Sequence, residues 1–359
     1  MSSSLPPDGL PPELALARGT WVKWIAGASN QDLAAIEDLA GIYTLAGVHC
    51  LDVAADPAVV AAARRGMRWA GKLGARQPWL MVSLSDGTDP HFRKAWFDPR
   101  LCPRDCPRPC QRVCPAQAIG LDDGDSPGVQ AERCYGCGRC LPACPHQLIT
   151  EQQQLLSAQE VPSLLQELKP DAVELHTRIG RGDAFRQRLQ QLSSSGVALE
   201  RLAVSCGVEP AAGEQRSPLP AHPAQLVREL WQRFTLLRGA GYRPLWQLDG
   251  RPMSGDVGSG TAHAAVNLAR AVAMTAPPGP LQLAGGTNAH TLAVLQRHPD
   301  AAGQVRGVAF GGTARQRLLP LLLKAQERGH GLLADAELWP LALRSACELV
   351  RPWLQRRSR

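Results

Sequence analysis

The sequence lacks any long apolar run. Its 359 residues are 44% hydrophobic, yet no stretch approaches the roughly 20 apolar residues that a membrane-spanning helix needs. The first twenty residues, rich in serine and proline, also lack the apolar core of a signal peptide. We therefore expect a cytoplasmic protein with no membrane span, in which residues 1–20 form a disordered tail.

Aromatic side chains are also scarce, at 5% of the chain. The formal net charge is +7, and a basic balance is common among proteins that bind nucleic acid. The basic residues, however, are not interleaved with aromatic ones, and no known nucleic-acid motif is present. We therefore expect no nucleic-acid partner. One run of basic residues instead lies in a cysteine-rich segment, at Arg100, Arg104, Arg108 and Arg112.

Cysteine is concentrated in that one segment. Eight of the eleven cysteines lie between residues 102 and 144. The second half reads Cys134-Tyr-Gly-Cys137-Gly-Arg-Cys140-Leu-Pro-Ala-Cys144-Pro145, which is the C-x2-C-x2-C-x3-C-P run of bacterial ferredoxins. Three thiolates at that spacing bind one [4Fe–4S] cluster, while the fourth reaches a different cluster. Glycines 136 and 138 allow the tight turns that this wrapping requires.

The first half of the segment is a near-repeat of the second. It reads Cys102-Pro-Arg-Asp-Cys106-Pro-Arg-Pro-Cys110-Gln-Arg-Val-Cys114-Pro115, with three-residue gaps where ferredoxins have two. Its prolines oppose a regular helix, so a loop around a cluster fits better. A crossed arrangement, as in two-cluster ferredoxins, predicts two [4Fe–4S] sites. One would use Cys102, Cys106, Cys110 and Cys144, and the other Cys114, Cys134, Cys137 and Cys140.

Two other uses of clustered cysteines are open. Paired C-x-x-C units can bind structural zinc, but a zinc ribbon needs two pairs separated by a longer loop, not three cysteines at consecutive short gaps. Disulfides are typical of secreted chains, and we expect no secretory signal here. Iron–sulfur clusters are therefore the cofactors that the sequence favours.

Around the cysteines, the sequence alternates between short apolar runs and helical segments. Such alternation predicts parallel strand pairing and an α/β fold. We expect eight strand–helix units over residues 21–85 and 151–359, the number found in a TIM-like (β/α)8 barrel; an open doubly wound sheet is the alternative. Residues 86–150 are predicted to form a ferredoxin-like insert after strand three. In a barrel, that position lies on the carboxyl-end face, where active sites are found.

Glycine-rich and polar positions follow several predicted strands. Gly285-Gly286-Thr287 follows strand seven and Gly311-Gly312-Thr313 follows strand eight, and these loops often bind a phosphate in barrels. The six residues are a candidate phosphate site, for a flavin or a similar ligand, unless the glycines only make tight turns. Lys23 could pair with Asp52 in a structural role or act in catalysis. The other strand-end candidates are Ser85, Arg178, Asn288 and two conceivable acid–base groups, His176 and Asp249.

Three short stretches near the start of the chain point to a family. They are Lys-Trp-Ile-Ala-Gly-Ala-Ser (23–29), Tyr-Thr-Leu-Ala-Gly (43–47) and Leu-Asp-Val-Ala-Ala-Asp-Pro (51–57). With the tandem cysteine segment and the context of Cys206, they resemble the LdpA family, the light-dependent period proteins of cyanobacteria. The resemblance covers most of the chain. It implies an iron–sulfur protein tied to the light and redox input of the circadian clock, with clock-input proteins as partners.

The residues and the resemblance leave three classes of function. The leading hypothesis is a redox sensor or electron carrier, not an enzyme, that exchanges electrons with redox partner proteins. The alternative is an oxidoreductase whose barrel binds a flavin or another phosphate-bearing ligand and receives electrons from the clusters. In the third class, the clusters only stabilise the fold of the insert.

Overall fold

Eight parallel strands close into a barrel in the computed structural model, which describes residues 9–121, 127–153, 156–208, 222–251 and 258–356. The strands are β1 (Trp21–Gly27), β2 (Cys50–Ala54), β3 (Trp79–Ser85), β4 (Arg93–Trp96), β5 (Ile119–Leu121), β6 (Pro127–Val129), β7 (Thr150–Gln153), β8 (Ala172–His176), β9 (Arg201–Cys206), β10 (Pro244–Asp249), β11 (Leu281–Ala284) and β12 (Val305–Phe310). The barrel consists of β1 to β3 and β8 to β12, and β12 pairs with β1 to close it. The predicted (β/α)8 barrel is confirmed.

Helices cover the outside of the barrel. The helices are α1 (Pro12–Arg18), α2 (Leu33–Leu45), α3 (Pro57–Lys72), α4 (Pro109–Arg112), α5 (Cys140–Ala143), α6 (Glu160–Leu168), α7 (Gly182–Ser194), α8 (Pro223–Gly239), α9 (Ala262–Val272), α10 (Thr291–Gln296), α11 (Pro299–Ala302), α12 (Gly312–Glu327) and α13 (Leu338–Leu354). Local sequence sets their ends: at α3, the Asp56 carboxylate accepts hydrogen bonds from the N–H groups of Ala58 and Val59, the usual role of an N-cap. Within the described ranges, every helix is too short or too polar to cross a bilayer.

The first helix lies where the sequence suggested a disordered tail. Helix α1 covers the amino-terminal end of the barrel, where Leu16 is buried against Met81 and Leu245. Glu13 forms ion pairs with Arg201 and Arg243. The prediction of disorder is therefore wrong for α1, because burial of an apolar side chain outweighs the proline-rich composition. Residues 1–8 lie outside the described part of the chain.

The cysteine segment leaves the barrel after β3 and returns before β8, as predicted. Strands β4 and β7 pair antiparallel, from Arg93 opposite Gln153 to Trp96 opposite Thr150, and form a ribbon at the base of the insert. The sequence predicted that the insert ends at residue 150, but the ribbon continues to Gln153. Strands β5 and β6 form a second small hairpin, and the short helices α4 and α5 lie among the cysteines.

Buried polar side chains line the interior of the barrel. Seven of the eight barrel strands contribute at least one, and those at mid-barrel are Lys23, Asp52, Ser83, Glu174, Ser205, Gln247 and Gln282. Because side chains alternate along a strand, these residues point inward while their apolar neighbours face the helices. Trp21 Nε1 donates to Gln282 Oε1 at 2.5 Å, and Gln282 Nε2 donates to Gln247 Oε1 at 2.6 Å. Gln247 Nε2 in turn donates to Glu174 Oε1 at 2.8 Å.

Lys23 lies at the centre of this network. Its fully buried ammonium group contacts Asp52 Oδ2 at 2.7 Å and also the carboxylate of Glu174. Burial opposes a charge on Lys23, but the two carboxylates outweigh it and hold the pKa of Lys23 above its ordinary value. Burial and the Glu174 carboxylate raise the pKa of Asp52. Against the effect of burial, the charges of Lys23 and His176 lower the pKa of Glu174.

Replacing Lys23 should therefore destabilise the barrel. In Lys23→Met, two buried carboxylates lose their shared cation, and breaking a buried ion pair in this way costs about 3–5 kcal/mol of unfolding free energy. Arg65→Met is the matched control, since it breaks an ion pair with Glu37 in which both side chains are partly exposed, and such pairs contribute no more than about 1 kcal/mol. Urea unfolding followed by circular dichroism compares the two. Equal losses would contradict a central role for Lys23.

Candidate functional site

The fold gathers four cysteines from both halves of the insert around one cavity. Its sulfur-bearing residues are Cys102, Cys106, Cys110 and Cys144, which we call the first cysteine set. Apolar side chains complete the lining, among them Phe97, Ile119 and Leu148. The fourth member comes from the second motif, so the set has the crossed composition that the spacing predicted.

The other four cysteines form the second cysteine set: Cys114, Cys134, Cys137 and Cys140. Burial, together with the nearby sulfur atoms of Cys137, Cys134 and Cys114, raises the pKa of Cys140 to about 12. Burial likewise raises the pKa of Cys137, and Cys114 adds to the effect. Cys114 belongs to the first motif in sequence but lies with the second motif in space. The grouping follows the prediction, while the ligands of each cluster remain a prediction.

Backbone N–H groups point at sulfur atoms of the second set. The N–H of Ala95 donates to Cys134 Sγ at 3.3 Å, and the N–H of Ala118 donates to Cys114 Sγ at 3.2 Å. Hydrogen bonds to cysteine sulfur stabilise its negative charge and are one of the ways in which a protein sets the potential of an iron–sulfur cluster. Both donors are held in place by the strand β4 or by the turn before β5.

The spacing of the thiols fits a cluster better than zinc. All eleven cysteines are free thiols. Four sulfur atoms around one zinc ion lie about 3.8 Å apart, given a Zn–S bond of about 2.3 Å. Among the described residues, the one group of three or more His, Cys, Asp or Glu side chains that is arranged to hold a single metal ion is Asp89, His91 and His176, which contains no cysteine. Within the described residues, neither cysteine set is therefore arranged around a single metal ion.

The second cysteine set lies beside the mouth of the barrel. Tyr135, which follows Cys134, lies under the guanidinium group of Arg315, with 4.1 Å between the guanidinium carbon and the ring centre. Arg315 Nη1 donates to the carbonyl oxygens of Ile25 at 3.1 Å and Ala26 at 2.8 Å, at the end of β1. The N–H of Gln31 donates to the carbonyl of Glu132 at 2.9 Å. These contacts fix the insert over the carboxyl ends of the barrel strands.

A pocket opens between the barrel mouth and the insert. Five of the six candidate phosphate-site residues line it: Gly285, Gly286, Thr287, Gly311 and Gly312. A side chain at position 285, where φ is +65°, would lie 2.5 Å from the carbonyl oxygen of Arg251, so only glycine fits. Thr313 lies in the first turn of α12, and its hydroxyl donates to the carbonyl of Thr287 at 3.1 Å. The structure brings the two loops together, and phosphate binding there stays a prediction.

Ionisable side chains line the same pocket: His91, Glu174, His176 and Asp249. His176 Nε2 lies 2.9 Å from Glu174 Oε1. Against the effect of burial, this hydrogen bond and the charges of Glu174 and Asp89 raise the pKa of His176 to about 9. Burial and then Glu174 raise the pKa of Asp249. The two acid–base candidates from the sequence therefore line the same pocket, and the pKa of each lies above its ordinary value.

The remaining strand-end candidates lie outside the lining of this pocket. Asp52 is deeper in the barrel, where its Oδ1 accepts from the hydroxyl of Ser83 at 2.7 Å. Ser85 donates to the carbonyl of Gly87 at 2.7 Å, and Asn288 donates to the carbonyl of Gly258 at 3.1 Å. These three side chains hold local structure.

Glu174, Gln247 and His91 are among the lining residues of the pocket that sequence analysis missed. Glu174 precedes His176 by two positions in β8, and Gln247 precedes Asp249 by two positions in β10. Side chains two positions apart lie on the same face of a strand. The position of Glu174 relative to His176, and of Gln247 relative to Asp249, was therefore a signal in the sequence that could have identified them. His91 lies at the start of the insert, where no periodicity indicates the direction of its side chain.

Comparison with known proteins places the chain in a family. Residues 102–155 match the LdpA Fe-S cluster-binding domain, and residues 164–352 match the Light dependent period A C-terminal domain. The chain is 47% identical to Light dependent period A of Synechococcus elongatus, over 99% of this chain and 95% of that protein. The chain belongs to the Light dependent period A family. Its cysteine segment is accordingly an iron–sulfur cluster-binding domain, which confirms the resemblance.

Solved structures similar to this family member are distant in sequence. One is (S)-3-O-geranylgeranylglyceryl phosphate synthase from Thermoplasma acidophilum, with 11% identity and a TM-score of 0.39 over 97% of this chain and 98% of that one. Another is tryptophan synthase from Mycobacterium tuberculosis, with 12% identity and a TM-score of 0.43 over 98% of both chains. The strand order described above establishes the barrel independently of them.

Gly136 offers a test of the turn within the second cysteine set. Its φ is +70°, and a Cβ there would lie 2.1 Å from the carbonyl oxygen of Arg93 in β4. We expect Gly136→Ala to strain the turn and to lower the iron content after anaerobic reconstitution. Gly120→Ala is the matched control in the same insert, since a Cβ there meets no atom within 4 Å. Unchanged iron in Gly136→Ala would show that the turn is not required.

Proposed function

We propose that this protein carries two [4Fe–4S] clusters and acts in the cytoplasm as a redox sensor and electron relay that passes the light-dependent redox state to the circadian clock. The interleaved first and second cysteine sets are the observation that carries the proposal. The clock role is supported by the 47% identical relative, whose name is Light dependent period A. When bound, such a cluster exchanges one electron at a time with cellular reductants.

The arrangement of the insert suits a relay between the surface and the barrel. Three of the four cysteines of the first cysteine set are partly exposed, whereas two of the four in the second set are buried. The first motif contributes Cys114 to the second cysteine set, and the second motif contributes Cys144 to the first. The polypeptide backbone of each motif therefore connects the two sites directly. A change in charge at the second set would be felt at Tyr135 and Arg315, which join the insert to the barrel mouth.

The number of clusters can be measured directly. We expect about eight irons per chain after anaerobic reconstitution, from two four-iron sites. Cys137→Ser should retain about four and lose one of two electron paramagnetic resonance signals of the reduced protein, and Cys106→Ser should lose the other. Cys347→Ala is the control, since this buried cysteine lies in α13, outside both sets. About four irons in the parent chain, or tightly bound zinc without a chromophore, would contradict the proposal.

The outer face of the insert is suited to an acidic redox or clock-input partner. Three of its large apolar side chains are exposed: Trp96 by 48%, Leu101 by 63% and Val113 by 36%. Arginine side chains at positions 100, 104 and 112 lie in the same segments and are exposed. Asp98, which pairs with Arg100, and the exposed Asp105 lie in the same segment, and the arginines leave it with a net positive charge. Apolar surface beside such a charge is typical of docking sites for partners of opposite charge. We propose that electrons enter or leave through this face.

Charge reversal on this face should weaken docking. In Arg104→Glu with Arg112→Glu, we expect association with an acidic electron donor to slow by about tenfold at low salt, and the difference to shrink as salt rises. The reduction potential of the nearer cluster should fall, because nearby positive charge favours the reduced state. The control pair, Arg238→Glu with Arg270→Glu, changes charge equally on exposed barrel helices. Equal rates for the two double variants would contradict docking at the insert.

The pocket at the barrel mouth supports a second candidate, an oxidoreductase fed by the clusters. The glycine-rich loops after β11 and β12 meet acid–base side chains there, within contact of the loop that carries Cys134. A flavin or another phosphate-bearing ligand bound by these loops would have its reactive part within reach of the acid–base side chains and of the loop that carries Cys134. Flavin released on denaturing protein purified without oxygen would favour this candidate. Iron and sulfide alone would favour the relay.

A further inference from the structure

A cluster of three metal-ligating side chains lies at the junction between the barrel and the insert. Asp89 precedes the first turn of the insert, His91 lies in that turn, and His176 ends β8. One ligand atom from each of the three residues lies within 4.8 Å of the other two. Asp89 and His176 are buried, and His91 and His176 line the pocket at the barrel mouth. The trio is separate from both cysteine sets.

Neighbouring groups orient these side chains as in a metal site. His176 Nε2 bonds to Glu174 Oε1 at 2.9 Å, which turns Nδ1 toward Asp89 Oδ1 at 4.0 Å. Glu174 is itself fixed by Lys23 and Gln247. Metal-bound histidines almost always have such a carboxylate or carbonyl on the second ring nitrogen, which sets the tautomer and the ring direction.

The two oxygen atoms of the Asp89 carboxylate have different neighbours. Its Oδ2 lies 3.5 Å from Arg178 Nε, whereas its Oδ1 lies 2.7 Å from His91 Nδ1. Oδ1 therefore faces both imidazole rings, and Arg178 holds the other oxygen away from them. The 4.0 Å between Asp89 Oδ1 and His176 Nδ1 is too long for a hydrogen bond. A metal ion between Asp89, His91 and His176 would be coordinated by all three side chains.

We propose that Asp89, His91 and His176 bind a divalent first-row transition metal ion at the barrel mouth. Two imidazoles and one carboxylate are a known ligand set for such ions and leave coordination positions open. Here His91 and His176 line the pocket together with Gln247 and Asp249. The imidazoles make magnesium or calcium a poor fit, since those ions prefer oxygen ligands. This proposal stands whether the clusters relay electrons or only stabilise the insert.

The rival interpretation is an ion-pair cluster that holds protons instead of a metal. His91 and Asp89 already share two hydrogen bonds, in which Asp89 Oδ1 contacts the backbone N–H and the Nδ1 of His91, and a metal ion would have to displace ring protons to bind. Proton release is general for metal binding by histidine. The two interpretations differ in whether a metal ion binds at this place with a fixed stoichiometry, which is measurable.

Manganese(II) is the probe for this test, because thiolates are poor ligands for it and the cysteines are occupied by clusters in the holoprotein. Free Mn²⁺ gives an electron paramagnetic resonance signal that is lost on binding. Titration of holoprotein with oxidised clusters, at mildly alkaline pH, should show one Mn²⁺ bound per chain. Asp89→Asn and His91→Gln should each weaken that binding by at least tenfold while iron content and circular dichroism stay unchanged.

His263→Gln is the matched control, since this exposed histidine lies on α9, outside the lining of the pocket. It should bind Mn²⁺ as the parent chain does. The proposal is overturned if the folded, cluster-loaded parent binds no Mn²⁺, or if Asp89→Asn and His91→Gln bind it as tightly as the parent. Because iron content is measured on the same samples, failure of the metal site is distinguishable from failure to assemble the clusters.

Discussion

A buried ammonium group with two carboxylates determines how the interior of this barrel is built. Lys23, Asp52 and Glu174 lie on three strands and are fully buried, so each charge is tolerable only because the others are present. Glu174 then continues the network upward to His176, at the carboxyl end of β8. The same ion pairs that hold the barrel together therefore also set the direction and the protonation of a side chain in the pocket.

The sequence was most informative where a local pattern is repeated. Apolar runs separated by helices predicted all eight barrel strands, and the tandem cysteine motifs predicted the crossed grouping, because both depend on spacing along the chain. Helix α1 was missed because its stability comes from burial of Leu16 beneath the barrel, which composition does not reveal. His91 was missed for a similar reason, since only tertiary packing brings the start of the insert against β8.

The insert and the barrel meet through a few specific contacts. Tyr135 comes from the loop between two cysteines of the second set, and Arg315 comes from α12 and holds the end of β1. The pocket between them has one side from each part of the protein. A ligand or metal ion bound there would contact both, so its affinity and the state of the clusters would be linked by the same contacts, in both directions.

The antiparallel ribbon of β4 and β7 has a consequence for the order in which the barrel folds and the cofactor is assembled. The ribbon brings the two ends of the insert together, so that β3 and β8 of the barrel are connected as if by a short loop. The length of the insert itself adds little to the conformational entropy that is lost when the loop closes. The barrel has its own core and ion pairs, so it is expected to fold before any cluster is assembled. A chain whose clusters have been destroyed would keep its barrel and could be reloaded. Loss of the cofactor would then leave a folded barrel to which the insert is still anchored.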